Sequence, residues 1–299
     1  VPAVTLATLA ARARRAYESA NRNPPSAMTD SPTTPAEDLE LLRSGAVAAG
    51  MIAASFFRRD LKTWTKENAT PVTEADITVD HYLRGSLLAA RPDYGWLSEE
   101  SPDDSSRLKA RRAFIVDPID GTRGFIRGED SWTVSLAVVE HGVAIAGVVY
   151  APARDELYEA TRGGGARLNS AALARHVPPG RPLVVTAAAA VHGELQQAGL
   201  DYTRGPYYPS LAYRLMQVAT GRLDAAGVRR GASDWDIAGA AAILAECGIA
   251  FEDACAGTVR LNGAEIRHGA LAATAAEPLK PLLRDVLARV YGCPEQGGP

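Results

Sequence analysis

The sequence predicts a chain of mixed helices and strands, and three observations predict it. Two segments carry complete helix-start chemistry, at Thr34-Pro35-x-Glu37 and at Thr73-x-x-Asp76. Apolar, β-rich runs at 113–116, 131–139 and 143–150 have the length and composition of strands, the last two flanking Glu140-His141-Gly142 as a hairpin. Strand-like and helix-like patterns then alternate from Leu183 to about Gly248. The fold class is therefore α+β. With 299 residues, 46% of them hydrophobic, the chain can bury one large core or two moderate ones.

Taken in order, residues 1–33 stand apart. They are rich in Ala, Arg, Ser, Thr and Pro and poor in large apolar side chains. A weak apolar face (Val4, Leu6, Leu9, Tyr17) beside Arg12, Arg14 and Arg15 has something of an organelle-targeting peptide. A disordered tail is the more ordinary reading, with Met28 as the natural start and the preceding segment an extension. The first helix begins at Thr34 and carries Leu39, Leu42, Ala46, Ala49 and Ala53 at helical spacing to about Phe57. Gly45 and Gly50 inside it point to close packing, since a mid-helix glycine otherwise costs roughly 1 kcal/mol. Pro71 bars helix before it, Thr73 caps the next, and that helix runs to about Ala90. A short strand at 94–97 leads to Ser98-Glu99-Glu100-Ser101. Gly163-Gly164-Gly165 is read as a turn between strands, because no lysine follows in phosphate-loop fashion. Composition shifts at Pro178-Pro179-Gly180, which divides the chain into halves at 34–180 and 181–299. In the second half, 183–185 and 223–228 read as strands, and 210–220 and the segment from Asp234 to about Gly248 as helices.

Charge and cysteine usage exclude several classes. A net charge of −3 and a pI near 6.0 leave no basic footprint for nucleic acid. The local clusters Arg58, Arg59, Lys62 and Arg229, Arg230 read as solvated faces. No two of the five histidines are three or four apart, which argues against a histidine zinc site. Cys247, Cys255 and Cys293 lack metal-ligand spacing and leave one unpaired, so a reduced, cytoplasmic setting is expected. No apolar run is read as reaching membrane-spanning length, and no membrane partner is expected.

The chemistry concentrates in Asp117-Pro118-Ile119-Asp120-Gly121-Thr122, which follows the apolar strand at 113–116. Two carboxylates three residues apart converge only where the backbone turns, and Pro118 and Gly121 supply turn chemistry. Thr122 adds a hydroxyl, and the amides of Gly121 and Thr122 face an anion if a short helix starts here. An Asp-Pro turn closed by Asp-Gly is the ordinary alternative. Three more acids occupy element ends: Glu99 after a strand, and Asp76 and Asp236 in the first turns of helices. Asp76 and Asp236 have an ordinary use there as dipole-favoured acids. Together the hard carboxylates suit magnesium rather than zinc.

Pro71-Val72-Thr73-x-x-Asp76, Glu99-Glu100-Ser101, the hexapeptide and Trp235-Asp236-x-Ala238 together resemble the inositol monophosphatase superfamily over about residues 36 to 275. The resemblance implies a layered αβαβα sandwich and a magnesium-dependent, lithium-sensitive phosphomonoesterase using two or three metal ions. Carried over by position, Glu99, Asp117 and the Ile119 carbonyl bind one metal, and Asp117, Asp120 and Asp236 a second. Asp76, Thr122 and Glu99 are the implied catalytic residues, with Asp76 and Thr122 activating water. The amides of Gly121 and Thr122 hold the phosphate. A dehalogenase-type phosphatase needs Asp-x-Asp and does not fit, because two residues separate the acids here.

The substrate expected is a small phosphomonoester. Ser98 stands where the inositol pattern has glycine, and Arg123 follows Thr122. Both departures are most like the bacterial 3'(2'),5'-bisphosphate nucleotidase branch, which hydrolyses 3'-phosphoadenosine 5'-phosphate. Gly124 and the lack of a lysine directly before Pro71 depart from that branch in turn. Inositol-1-phosphate hydrolysis is the runner-up, and a non-enzymatic protein retaining the fold is the third reading. Arg123 is assigned to a second substrate phosphate, against the alternative that it faces solvent or pairs with Glu129. A homodimer is left open as the protein partner.

Overall fold

The computed structural model describes residues 33–66, 70–178 and 180–293. The expectations for the tail and for Met28 lie outside the described residues. Helix α1 (Pro35–Phe56) starts with the reciprocal cap anticipated: the Glu37 amide donates to Thr34 Oγ1 at 3.3 Å, and the Thr34 amide to Glu37 Oε2 at 2.7 Å. A two-stranded ribbon of β1 (Thr63–Thr65) and β2 (Pro71–Thr73) leads into α2 (Glu74–Ala90). A seven-stranded sheet follows in sequence order: β3 (Gly95–Ser98), β4 (Arg112–Asp120), β5 (Thr133–Glu140), β6 (Val143–Ala151), β7 (Glu156–Thr161), β8 (Gly165–Leu168) and β9 (Ala171–Ala172). The pair β3–β4 is parallel and the rest antiparallel. Between β4 and β5 lies the short helix α3 (Thr122–Ile126).

The second half builds a six-stranded mixed sheet from β10 (Leu183–Thr186), β11 (Tyr202–Arg204), β12 (Ala225–Val228), β13 (Ala250–Asp253), β14 (Gly257–Thr258) and β15 (Leu271–Thr274). Their spatial order is β11-β10-β12-β15-β13-β14. Helices α4 (Ala189–Gln197), α5 (Leu211–Thr220), α6 (Asp234–Glu246) and α7 (Leu279–Tyr291) complete it.

Residue alternation shows the layering. Along β4 and β5, Phe114, Val116, Leu136 and Val138 pack with Leu42, Ala46, Val79 and Leu83 of α1 and α2. Their neighbours Ile115, Ala137 and Val139 point the other way, into a cluster with Ala212, Leu215, Ile237 and Ala240 of α5 and α6. That cluster also takes Ala226, Val228, Leu271 and Ala273 from the second sheet. Ala225 and Ala272 face its far side, against Leu283, Val286 and Leu287 of α7. The order is helices, sheet, helices, sheet, helices: the αβαβα sandwich.

Two expectations need correction. Helix α1, at 22 residues, is long and apolar enough to span a membrane by length and composition alone. Its Leu42, Ala46, Ala49 and Ala53 are instead buried against protein, as a core helix requires. The cysteines also differ from a reduced set. Cys255 and Cys293 form a disulfide, and Cys247 is the free cysteine among the described residues. The two are 38 residues apart in sequence, and the return of α7 brings their Cα atoms to 5.5 Å, a proximity that spacing cannot reveal. The basic residues Arg58, Arg59, Lys62, Arg229 and Arg230 are exposed, as expected of solvated faces.

Gly50 is where α1 comes closest to the sheet. A Cβ there would lie 2.5 Å from Tyr150 Cε1 and 2.8 Å from Pro152 Cγ, whereas one at Gly45 would meet the Leu87 side chain at an ordinary 3.4 Å. Gly50→Ala is therefore expected to destabilise by about 1–3 kcal/mol through overpacking, despite the better helix propensity of alanine. Gly45→Ala should be tolerated. Urea denaturation of both variants checks this, and equal stability would show that the α1–sheet gap can open freely.

Candidate active site

The site is built where β4 ends. Strand β4 runs on through Asp117, Pro118 and Asp120, so of the two turn-formers only Gly121 makes the bend. In the ladder with β5, Asp117 pairs with Ser135 and Asp120 with Thr133. Pro118 and Ile119 thus stand opposite Val134 alone, a bulge at the one residue that has no amide to donate. Residues three apart on a regular strand face opposite sides; the extra residue restores parity, so both carboxylates face one way. Gly121 then bends the chain at φ 91°, and a Cβ there would lie 2.9 Å from the Ser210 amide nitrogen.

Carboxylate oxygens of Asp117, Asp120 and Asp236 lie within 4.8 Å of one another. Each is held differently. Asp120 Oδ2 accepts the Ser210 hydroxyl and the Ala212 amide, both at 2.6 Å, so the start of α5 fixes it. Asp236 Oδ2 accepts the Ser233 amide at 2.6 Å, the capping-box contact of α6. Both oxygens of Asp117 are buried with no hydrogen-bond partner. A buried carboxylate so placed is stable in its charged form only beside a cation, and hard oxygen donors suit a divalent ion such as magnesium. The residues present therefore fit the metal that the resemblance implies.

Electrostatics agree. Burial, then the charges of Glu99, Asp120 and Asp236, push the Asp117 carboxyl well above the usual range. Asp236 is raised well above it by burial and by Asp120. Asp120 is raised by burial to about 6, against the opposing hydrogen bonds of Ser210 and of the Ala212 and Leu211 amides.

Asp76 caps α2 with one oxygen and reaches the hexapeptide with the other. Its Oδ2 accepts the Thr73 amide at 2.8 Å and the Thr73 hydroxyl at 2.6 Å, while Oδ1 lies 3.1 Å from Thr122 Oγ1. The same hydroxyl is 3.0 Å from the Ile119 carbonyl. Burial raises Asp76 to about 6 against these hydrogen bonds. Glu99 is outside the trio of aspartates. Lys66 Nζ lies 3.1 Å from its Oε1 and 2.8 Å from Glu100 Oε1. Burial and the charge of Glu99 raise Glu100 to about 7, with Lys66 opposing. Arg123 is exposed on α3, and Glu129, the acid named in the alternative reading of it, lies 2.6 Å from Arg127.

Three residues escaped sequence reasoning. Lys66 bridges the two glutamates, Ser210 anchors Asp120, and Arg214 lies along α5 beyond Ser210. Arg214 Nη2 donates to the Tyr208 carbonyl at 2.8 Å, its Nε is buried without a partner, and its guanidinium lies 4.8 Å from the centre of the exposed Tyr207 ring. Burial lowers its pKa, and Asp120 is among the charges that oppose this. A serine at a helix start is a legible signal; the partners it reaches 90 residues away are not.

A carboxylate trio around an orphaned aspartate, at a strand end in an αβαβα sandwich, defines a metal-dependent phosphatase. The chain belongs to the inositol monophosphatase family, whose profile matches residues 35–288. The inositol-1-monophosphatase of Rhizobium meliloti is 32% identical over 250 residues, covering 77% of this chain and 88% of that protein. The histidinol-phosphatase of Chlorobaculum parvum is 41% identical over 133 residues, so the chain spans about half that relative's length (44% of this chain, 51% of the relative). The 3'(2'),5'-bisphosphate nucleotidase CysQ of Escherichia coli K12 is 40% identical over 100 residues, 33% of this chain and 41% of that protein. Among solved structures, the extragenic suppressor protein suhB of Bartonella henselae superposes with a TM-score of 0.71 at 26% identity, covering 87% of this chain and 99% of that one.

Raised carboxyl pKa values carry a stability consequence. A group that binds its proton more tightly when folded contributes stability at low pH and loses it as pH rises through the folded value. For Asp76 and Asp120 that loss runs from the usual 3.8 to about 6, and for Glu100 from 4.5 to about 7. Asp117→Asn removes one of the crowded charges. In chelator it should raise Tm at about pH 8 and lose much of that advantage at about pH 5, below the value of about 6 to which Asp120 is raised, where the crowding of charge is relieved by protons. Magnesium should stabilise the wild type far more than the variant. Calorimetry showing the same Tm difference at both pH values would refute mutual repulsion at Asp117.

Proposed function

We propose that the chain is a magnesium-dependent 3'(2'),5'-bisphosphate nucleotidase acting on 3'-phosphoadenosine 5'-phosphate. Asp117, Asp120 and Asp236, with Glu99 and the Ile119 carbonyl, are the groups that would hold the metal. When bound, it supplies Lewis-acid activation of water and neutralises the phosphate's charge. Asp76 and Thr122 supply the proton chemistry. Thr122 Oγ1 can accept a hydrogen bond from the attacking water while passing its own proton toward Asp76 Oδ1 at 3.1 Å. Asp76, raised to about 6, is close to neutrality and so suited to accept that proton. The amides of Gly121 and Thr122, where α3 begins, orient the phosphate.

The observation that carries the substrate reading is Arg214. A guanidinium held beside the exposed Tyr207 ring, with the Tyr208 carbonyl as its neutral hydrogen-bond acceptor, suits a second anionic group better than a neutral ring. Inositol-1-phosphate has no such group. Histidinol phosphate carries an ammonium, which Arg214 would repel. Tyr207, exposed beneath the guanidinium, offers a flat face to a base. Arg123, also cationic but exposed, takes second place because solvent screens its contacts.

Two measurements test this. Thr122→Ala should lower kcat by roughly ten- to a thousand-fold with little change in KM, because the backbone amides remain; Thr122→Ser should restore most of it. A raised KM at unchanged kcat would make Thr122 a binding group only. A substrate panel of 3'-phosphoadenosine 5'-phosphate, inositol-1-phosphate and histidinol phosphate should give the highest kcat/KM for the first. Arg214→Ala should cost that substrate about ten- to a hundred-fold, the loss of a charged, partly desolvated contact worth ~1.5–3 kcal/mol, and spare the others. Arg123→Ala should cost it less. A preference for inositol-1-phosphate, unchanged by Arg214→Ala, would return the inositol phosphatase reading.

A further inference from the structure

Helix α2 bears a second buried acid, Asp80, one turn beyond Asp76 and on the same face. It takes no part in the chemistry described above. Both of its oxygens are engaged by the loop that carries Glu99: Ser98 Oγ donates to Oδ1 and Ser101 Oγ to Oδ2, each at 2.5 Å. The Glu100 amide donates back to Ser98 Oγ at 3.3 Å. The Glu99 amide itself donates to the Val116 carbonyl at 3.2 Å, prolonging the β3–β4 pairing by one bond. Glu99 is thus bracketed by two serines that one carboxylate holds.

Charge explains the need for a bracket. Glu99 carries the largest of the charges that raise Asp117, so the two repel when both are ionised. Lys66 pairs with both Glu99 and Glu100. A glutamate on an unbraced loop would relax away from Asp117 under that repulsion. We propose that Asp80, through Ser98 and Ser101, is a positioning residue that keeps Glu99 within reach of the Asp117 metal site. One face of α2 then sets both halves of the reaction: Asp76 holds Thr122, and Asp80 holds the Glu99 loop. Ser98 matters for the same reason, because a glycine there could not reach Asp80.

The inference rests on the reading of Glu99 as a metal ligand, and the test separates the two. Manganese alone is titrated calorimetrically into the full-length, phosphate-free protein. Asp80→Ala should weaken the Glu99-dependent binding by about ten-fold or more, the usual effect of removing a group that orients a ligand. Ser98→Ala with Ser101→Ala, milder changes for folding, should do the same, and Asp80→Asn, which keeps one acceptor, should recover part of the loss. Glu99→Gln should weaken binding too, and adding Asp80→Ala to it should cost nothing further, because the positioned group is already gone. In turnover, Asp80→Ala should raise the magnesium needed for half-maximal rate while KM at saturating magnesium stays put. Additive losses in the double variant would overturn the positioning role and leave Asp80 a stabiliser of α2. Wild-type affinity in Asp80→Ala and in the double-serine variant would overturn it as well. Wild-type affinity in Glu99→Gln would instead remove Glu99 from the metal site, and the positioning role with it.

Discussion

The structure depends on one unfavourable arrangement: carboxylates crowded at the end of β4 with too few donors to satisfy them. Asp117 has two buried oxygens and no partner, and its nearest charges are Glu99, Asp120 and Asp236. Such a cluster destabilises the chain until a cation enters, so its geometry must be held by everything around it. The surrounding elements do this with local devices. The bulge at Pro118 and Ile119 sets the direction of Asp117 and Asp120. The start of α5 grips Asp120, and the capping boxes of α2 and α6 grip Asp76 and Asp236.

Those capping boxes resolve a choice that looks exclusive. Asp76 and Asp236 read as structural caps or as functional acids, and the geometry lets one side chain be both. A carboxylate has two oxygens, and in Asp76 one is committed to the Thr73 cap while the other reaches Thr122. The cap fixes the side chain's rotamer, which is what a reacting group requires. Helix stability and site geometry therefore depend on the same hydrogen bonds.

The layered fold supplies the distances. Elements from both halves share the central cluster between the sheets, so α6 and its Asp236 stay fixed relative to β4. Asp120 meets Ser210, and Arg43 reaches Glu159, across 90 and 116 residues of chain. A buried contact of that kind needs the whole sandwich, which is why single surface changes far from β4 should matter little.

By itself the sequence determined the local elements: the caps at Thr34 and Thr73, the hairpin around Glu140-His141-Gly142, and the four motifs that mark the family. These are legible because their causes lie within a few residues, in propensity, spacing and turn chemistry. Only the tertiary structure decided the rest. It kept Pro118 inside the strand and left the bend to Gly121, because the ladder with β5 carries β4 through Asp120. It joined Cys255 to Cys293, brought Lys66 to Glu99 and set Arg214 behind Tyr207. The strands beyond Gly248 carried little local signal, since β13 to β15 are two to four residues long and take their stability from their neighbours in the sheet. Contacts between distant segments are set by how layers pack, and no window of sequence contains both partners.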